Sequence, residues 1–133
     1  MTDVQRLKKL GLKEYRVSMG FFDFTVILII GEYIKAVEFV AWKFDEGKEF
    51  IEEQKNDEGN VRGKCFYKHC YVPCVYIPRK PKTPREYATL GHECNHAVYR
   101  LFGWAGIPMG SDTEEVFTHA QAHLVNGFLE LMK

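Results

Sequence analysis

A small α+β domain with a short, mostly antiparallel sheet is what this sequence predicts, and three observations carry the prediction. Residues 22–30 are an apolar run rich in aromatic and β-branched side chains, the pattern of a buried strand. Residues 32–44 place Tyr33, Ile34, Val37, Val40, Ala41 and Phe44 at spacings of three and four, with Glu38 and Lys43 on the other face, which is helical. Residues 62–67 and 72–77 read as two further short strands, and two helical patterns follow to the C-terminus. Strand, helix, two strands, helix, helix is the resulting order.

The bulk numbers fit one domain over residues 1–133. That length buries a core without help from disulfides. Hydrophobic residues at 46% and charged residues at 27% separate the chain from disordered sequences. Eighteen basic residues balance eighteen acidic ones, so the electrostatic case for nucleic acid is missing and no nucleic-acid partner is expected. A local basic patch at Lys64, Lys68, Arg79, Lys80 and Lys82 is the exception to weigh. The apolar run at 21–30 is half of the roughly 20 residues that a spanning helix needs, so no membrane association is expected. No apolar stretch follows the charges of the N-terminus as a secretory signal would require, and an intracellular location is expected.

Residues 1–12 read as a short N-terminal helix or arm, capped by Thr2 or Asp3 and stopped near Gly11. A first strand is expected over 15–19, and the buried strand ends at Gly31. Residues 48–58 are charged and read as a frayed extension or a surface loop. The strands at 62–67 and 72–77, separated by Lys-His-Cys-Tyr, form a plausible hairpin, and Pro73 assigns the second to a sheet edge. Three of the four cysteines, Cys65, Cys70 and Cys74, lie close together near His69 without a paired zinc-knuckle spacing. They read, with Cys94, as packed thiols.

Thr83-Pro84-Arg85-Glu86 is a complete helix start, with Thr at the N-cap, Pro at the first helical position and Glu at the third. A helix is predicted over 84–102, closed by Gly103, and another beginning after Ser111 or Asp112 and continuing to the end. Within the first lies His92-Glu93-Cys94-Asn95-His96. Residues four apart on a helix are about 40° apart around its axis, so both imidazoles can reach one ion. Glu93 then stands beside it as general base for a water that the ion activates. The histidines project opposite the apolar stripe Leu90, Cys94, Ala97 and Leu101. The competing reading is a polar helix face that happens to carry two histidines.

A catalytic zinc site takes a third protein ligand. The candidates are Glu114 and Glu115, 18 and 19 residues after His96. With Ser111 as N-cap, Glu114 is the third helical residue and is engaged with the backbone, which leaves Glu115 as the expected ligand and Glu114 as the alternative. His119, four residues beyond Glu115, is expected to orient it or to stabilise charge on the substrate, and is itself an alternative ligand. Tyr87 and Tyr99 are further nominees for an oxyanion donor. The strand at 72–77 is the expected edge for pairing with an extended peptide.

The pair of histidines with a helical Glu further on resembles the gluzincin pattern of thermolysin-like peptidases in minimal form. The stretch IPRKPKTPREYATLGHECNHAVYRLF through SDTEEVFTHAQAHLV is similar to small zincin-like proteins encoded by phages and prophages, as is the opening FTVILIIGEYIKAVEFV. The resemblance implies a zincin-like fold and a zinc-dependent metallopeptidase in the cytoplasm of a bacterial host. It further implies His92, His96 and Glu115 as zinc ligands, Glu93 as base and a peptide or protein as substrate. The alternative function is a catalytically inactive, metal-stabilised module that binds a protein partner.

Overall fold

The computed structural model of the chain describes residues 1–20, 23–67 and 72–133. Phe22, where the central strand was expected to begin, and Lys68, His69 and Cys70 of the expected hairpin turn lie outside the described residues. The elements are α1 (Asp3–Leu10), β1 (Lys13–Ser18), β2 (Thr25–Ile30), α2 (Tyr33–Lys43), α3 (Lys48–Lys55), β3 (Lys64–Phe66), β4 (Cys74–Ile77), α4 (Pro84–Trp104) and α5 (Glu114–Leu131). This is the small α+β architecture that the sequence predicts.

Local chemistry sets the first elements. The Thr2 hydroxyl accepts from the Gln5 N–H while the Gln5 side chain accepts from the Thr2 N–H, a reciprocal cap for α1. Gly11 ends that helix with φ of 70°. Residues 48–58 do not remain a loop or an extension of α2. They open a separate helix, α3, whose partly buried Phe50 and Ile51 pack on the α2 side of the sheet. Its short apolar stripe is too small to stand out among charges, and it is packing against α2 and Phe66 that stabilises it.

The sheet has the order β1-β2-β4-β3. β1 runs antiparallel to β2, β2 parallel to β4, and β3 antiparallel to β4. β4 is therefore interior, and the edges are β1, beside α5, and β3, beside α4. This corrects the assignment of residues 72–77 to the edge. The reason lies in where Pro73 falls. It precedes the strand proper, and its carbonyl accepts from the Ile27 N–H at 3.1 Å, so its missing N–H breaks no ladder bond.

Alternation along the strands divides the core into two layers. Val26, Leu28, Ile30, Val75 and Ile77 face α4 and α5. Ile27, Ile29, Cys74 and Tyr76 face α1, α2 and α3. The strand period of two produces this split directly. β2 is buried on both sides, as a central strand flanked by helices must be.

Candidate metal centre

The helix that carries the His pair is held at both ends. The Thr83 hydroxyl accepts from the Glu86 N–H at 3.2 Å, and Glu86 Oε1 accepts from the Thr83 and Lys82 N–H groups. Glu86 Oε2 accepts from Arg79 Nε at 2.6 Å. The Arg79 guanidinium, helped by those backbone donors, holds the Glu86 carboxyl at about 2. At the other end α4 runs past Gly103, and the glycine that closes it is Gly106, with φ of 72°. There the Ile107 N–H returns to the Phe102 carbonyl at 2.9 Å. Between these ends Leu90, Cys94, Ala97, Val98, Leu101 and Phe102 are buried against the sheet and α5. Each large aliphatic side chain so buried stabilises by about 1.5–3 kcal/mol.

Opposite that stripe, His92 and His96 are exposed, and their Nε2 atoms converge to 3.2 Å with the rings edge to face. Two ligands around a tetrahedral ion with bonds of about 2.0–2.1 Å stand roughly 3.3–3.4 Å apart. The spacing matches that of two ligands on one ion. Glu93 lies inward of them, 7% exposed, with Oε1 at 3.9 Å from His92 Nε2. Its Oε2 is buried and has no hydrogen-bond partner among the described residues. A buried carboxylate oxygen left so is rare in a folded protein and marks a place where a cation or a polar group belongs. Burial pushes the Glu93 carboxyl upward, against the opposing pull of His92, His96 and Lys64. A ligand-capable atom from each of His92, Glu93 and His96 lies within 4.8 Å of the others, so the group could hold a metal ion. Cys94, inside the motif, is pushed up to about 12 by burial and is a packing residue rather than a nucleophile or ligand.

Close approach of the chain before β3 walls this site on one side. A Cβ on Gly63 would stand 2.6 Å from Thr89 Cγ2 and 3.1 Å from Glu93 Cγ, so only glycine fits there without displacement. No spacing rule points to Gly63, because the contact joins residues far apart in the chain.

The remaining expected site residues lie elsewhere. Glu115 and His119 pair with each other at 3.1 Å, both well exposed, and neither belongs to the group around His92. The predicted cap at Ser111 is not formed. Thr113 is the N-cap residue, and its hydroxyl serves the loop instead, donating to the Pro108 carbonyl and accepting from the Gly110 N–H. Glu114 is thus the first helical residue rather than the third, and the capping argument that set Glu115 ahead of it falls away. Gln121 donates to the Gly91 carbonyl at 3.3 Å and so marks the side of α5 that faces α4. Counting back at about 100° per residue, Glu114 lies about 20° from that side and Glu115 about 120°. Tyr87 and Tyr99 are exposed on α4. His123 is spent on β1, its Nε2 donating to the Ser18 carbonyl at 2.9 Å.

No family model, no curated protein and no solved structure matches this chain. No helix of the described residues is long and apolar enough to cross a membrane.

Proposed function

We propose that this protein is a small zincin-like metallopeptidase that hydrolyses a peptide or amide bond, with zinc held by His92, His96 and a carboxylate from the first turn of α5. The observation that supports the reading most is the convergence of two imidazole nitrogens beside a buried, unpartnered carboxylate oxygen. Zinc bound there would polarise a carbonyl and acidify water. His92 and His96 supply neutral nitrogen ligands from a rigid helix. Glu93, desolvated yet within reach of the same space, accepts a proton at its carboxylate from the attacking water and returns it to the leaving amine.

Purified without a histidine tag, the chain should carry about one zinc ion. Glu93→Gln should keep that metal and lose hydrolysis of a casein or peptide-library substrate by about 100-fold or more, the range a general base contributes. A wild-type chain that takes up no zinc would sink the reading. The second reading, a non-catalytic metal-stabilised module, draws on the separation of Glu115 and His119 from the His pair. It requires that Glu93→Gln leave partner binding intact while His92→Ala lowers thermal stability.

A further inference from the structure

Two neighbouring cavities share Val61, Arg62, Arg85 and Thr89 in their walls, and one of them reaches His92 and Glu93. One, of about 470 Å³, lies between the end of β4 and the start of α4, and the other, of about 620 Å³, runs along residues 57–64 to His92 and Glu93. Arg62 and Arg85 line both. The other cations there are answered locally, since Arg79 is bound to Glu86 and Lys64 stands 3.7 Å from Asp57. Among the described residues, Arg62 and Arg85 have no carboxylate within ion-pair distance. Two exposed arginines, 23 positions apart in sequence, thus line one junction without an ion-pair partner among the described residues.

We propose that Arg62 and Arg85 form an anion subsite that holds an acidic side chain of an extended peptide, next to the residues around His92 and Glu93. As a specificity site for substrate, it rests on the peptidase reading above. As a binding site, it does not. A guanidinium fork matches a carboxylate with two parallel hydrogen bonds, and two forks at one place select charge as well as shape. The cleft continues from the arginines to Glu93, so an anchored acidic side chain lies to one side of the bond presented there. Nucleic acid fits the surroundings less well. The chain has no net charge, and two guanidinium groups at one point do not make the row of phosphate contacts on which such binding depends.

Fluorescence anisotropy on the full chain, metal-free, tests the subsite. The probes are a fluorescein-labelled octapeptide of alternating Glu and Ala, its Gln and Lys counterparts, and an eight-nucleotide oligothymidylate. The Glu peptide should bind at least ten-fold tighter than the Gln peptide and tighter than the oligonucleotide. An Arg62→Gln/Arg85→Gln double variant with an unchanged circular dichroism spectrum should lose that preference, and the corresponding Lys double variant should retain part of it. Equal or absent binding of the Glu and Gln peptides overturns the proposal. So does a preference that survives in the Gln double variant, or tighter binding of the oligonucleotide. The same peptides offered to zinc-loaded protein separate the two readings. Charge-selective binding without cleavage leaves the subsite and removes the peptidase. Cleavage indifferent to acidic residues does the reverse.

Discussion

The two C-terminal helices invite comparison, because the proposed site needs both and they are built differently. α4 has a reciprocal cap, a proline at its first position and seven buried residues, Glu93 among them. α5, nearly as long, has no side-chain cap bond and buries only Leu124 and Phe128. Its first turn carries Glu114 and Glu115, favourable at the positive end of a helix dipole but open to solvent. The His pair therefore sits on a scaffold fixed by packing, whereas any carboxylate from α5 comes from a turn held by little beyond its loop. The proposed site would thus combine a preformed His pair with a more adaptable third ligand.

Metal affinity offers the largest break. His92→Ala should weaken zinc binding by about 1,000-fold or more, ~4 kcal/mol, measured by competition with a chromophoric chelator. Glu114→Ala should cost at least ten-fold more than Glu115→Ala, because Glu114 lies on the side of α5 that faces α4. The reverse order would mean that the first turn of α5 rotates when metal binds. Core truncation comes next. Leu101→Ala, fully buried in α4, should cost about 2–5 kcal/mol in urea unfolding. Val116→Ala, 44% exposed in α5, should stay within about 0.5 kcal/mol. Equal costs would erase the contrast between the helices.

Caps give a smaller effect. Thr83→Ala should destabilise by about 0.5–2 kcal/mol, and Thr113→Ala, which removes loop bonds but no cap bond, by less than half as much. The smallest effect depends on pH. The Glu86 carboxyl is depressed to about 2, so its stabilising contribution is present above its ordinary value of 4.5 and is lost as pH falls through about 2. Glu86→Gln should therefore lower the urea midpoint at pH 7, with the gap to wild type closing as pH falls toward 2. A gap that persists at pH 2 would assign the effect to the neutral hydrogen bonds of the cap rather than to charge.

Much of α4 was legible before any coordinates. Thr83, Pro84 and Glu86 specify a start through hydrogen bonds that reach only three residues, and the buried stripe follows from a period that the chain repeats. His92 and His96 four apart needed no tertiary information to share a face. The errors arose where a residue's role depends on a distant partner. Pro73 suggested an edge, yet β4 lies between β2 and β3 because the proline precedes the paired residues. Ser111 read as a cap, yet the loop before α5 uses Thr113. The basic patch legible along the chain includes Arg79 and Lys64, both paired in the fold, whereas Arg62 and Arg85 lie outside it and line the cleft.

Caps and periodicity act over one or two turns, and they suffice to set the class of fold, the helix that bears His92, Glu93 and His96, and the burial of one stripe beneath them. Tertiary packing buries Glu93 with an unpartnered oxygen and brings Gly63 close enough to wall it in. It also decides that Arg62 and Arg85 share a cleft while Glu115 and His119 stand apart. Each of these is a meeting of residues from separate segments. Such meetings are set by how the sheet and helices pack against one another, and no local pattern encodes them.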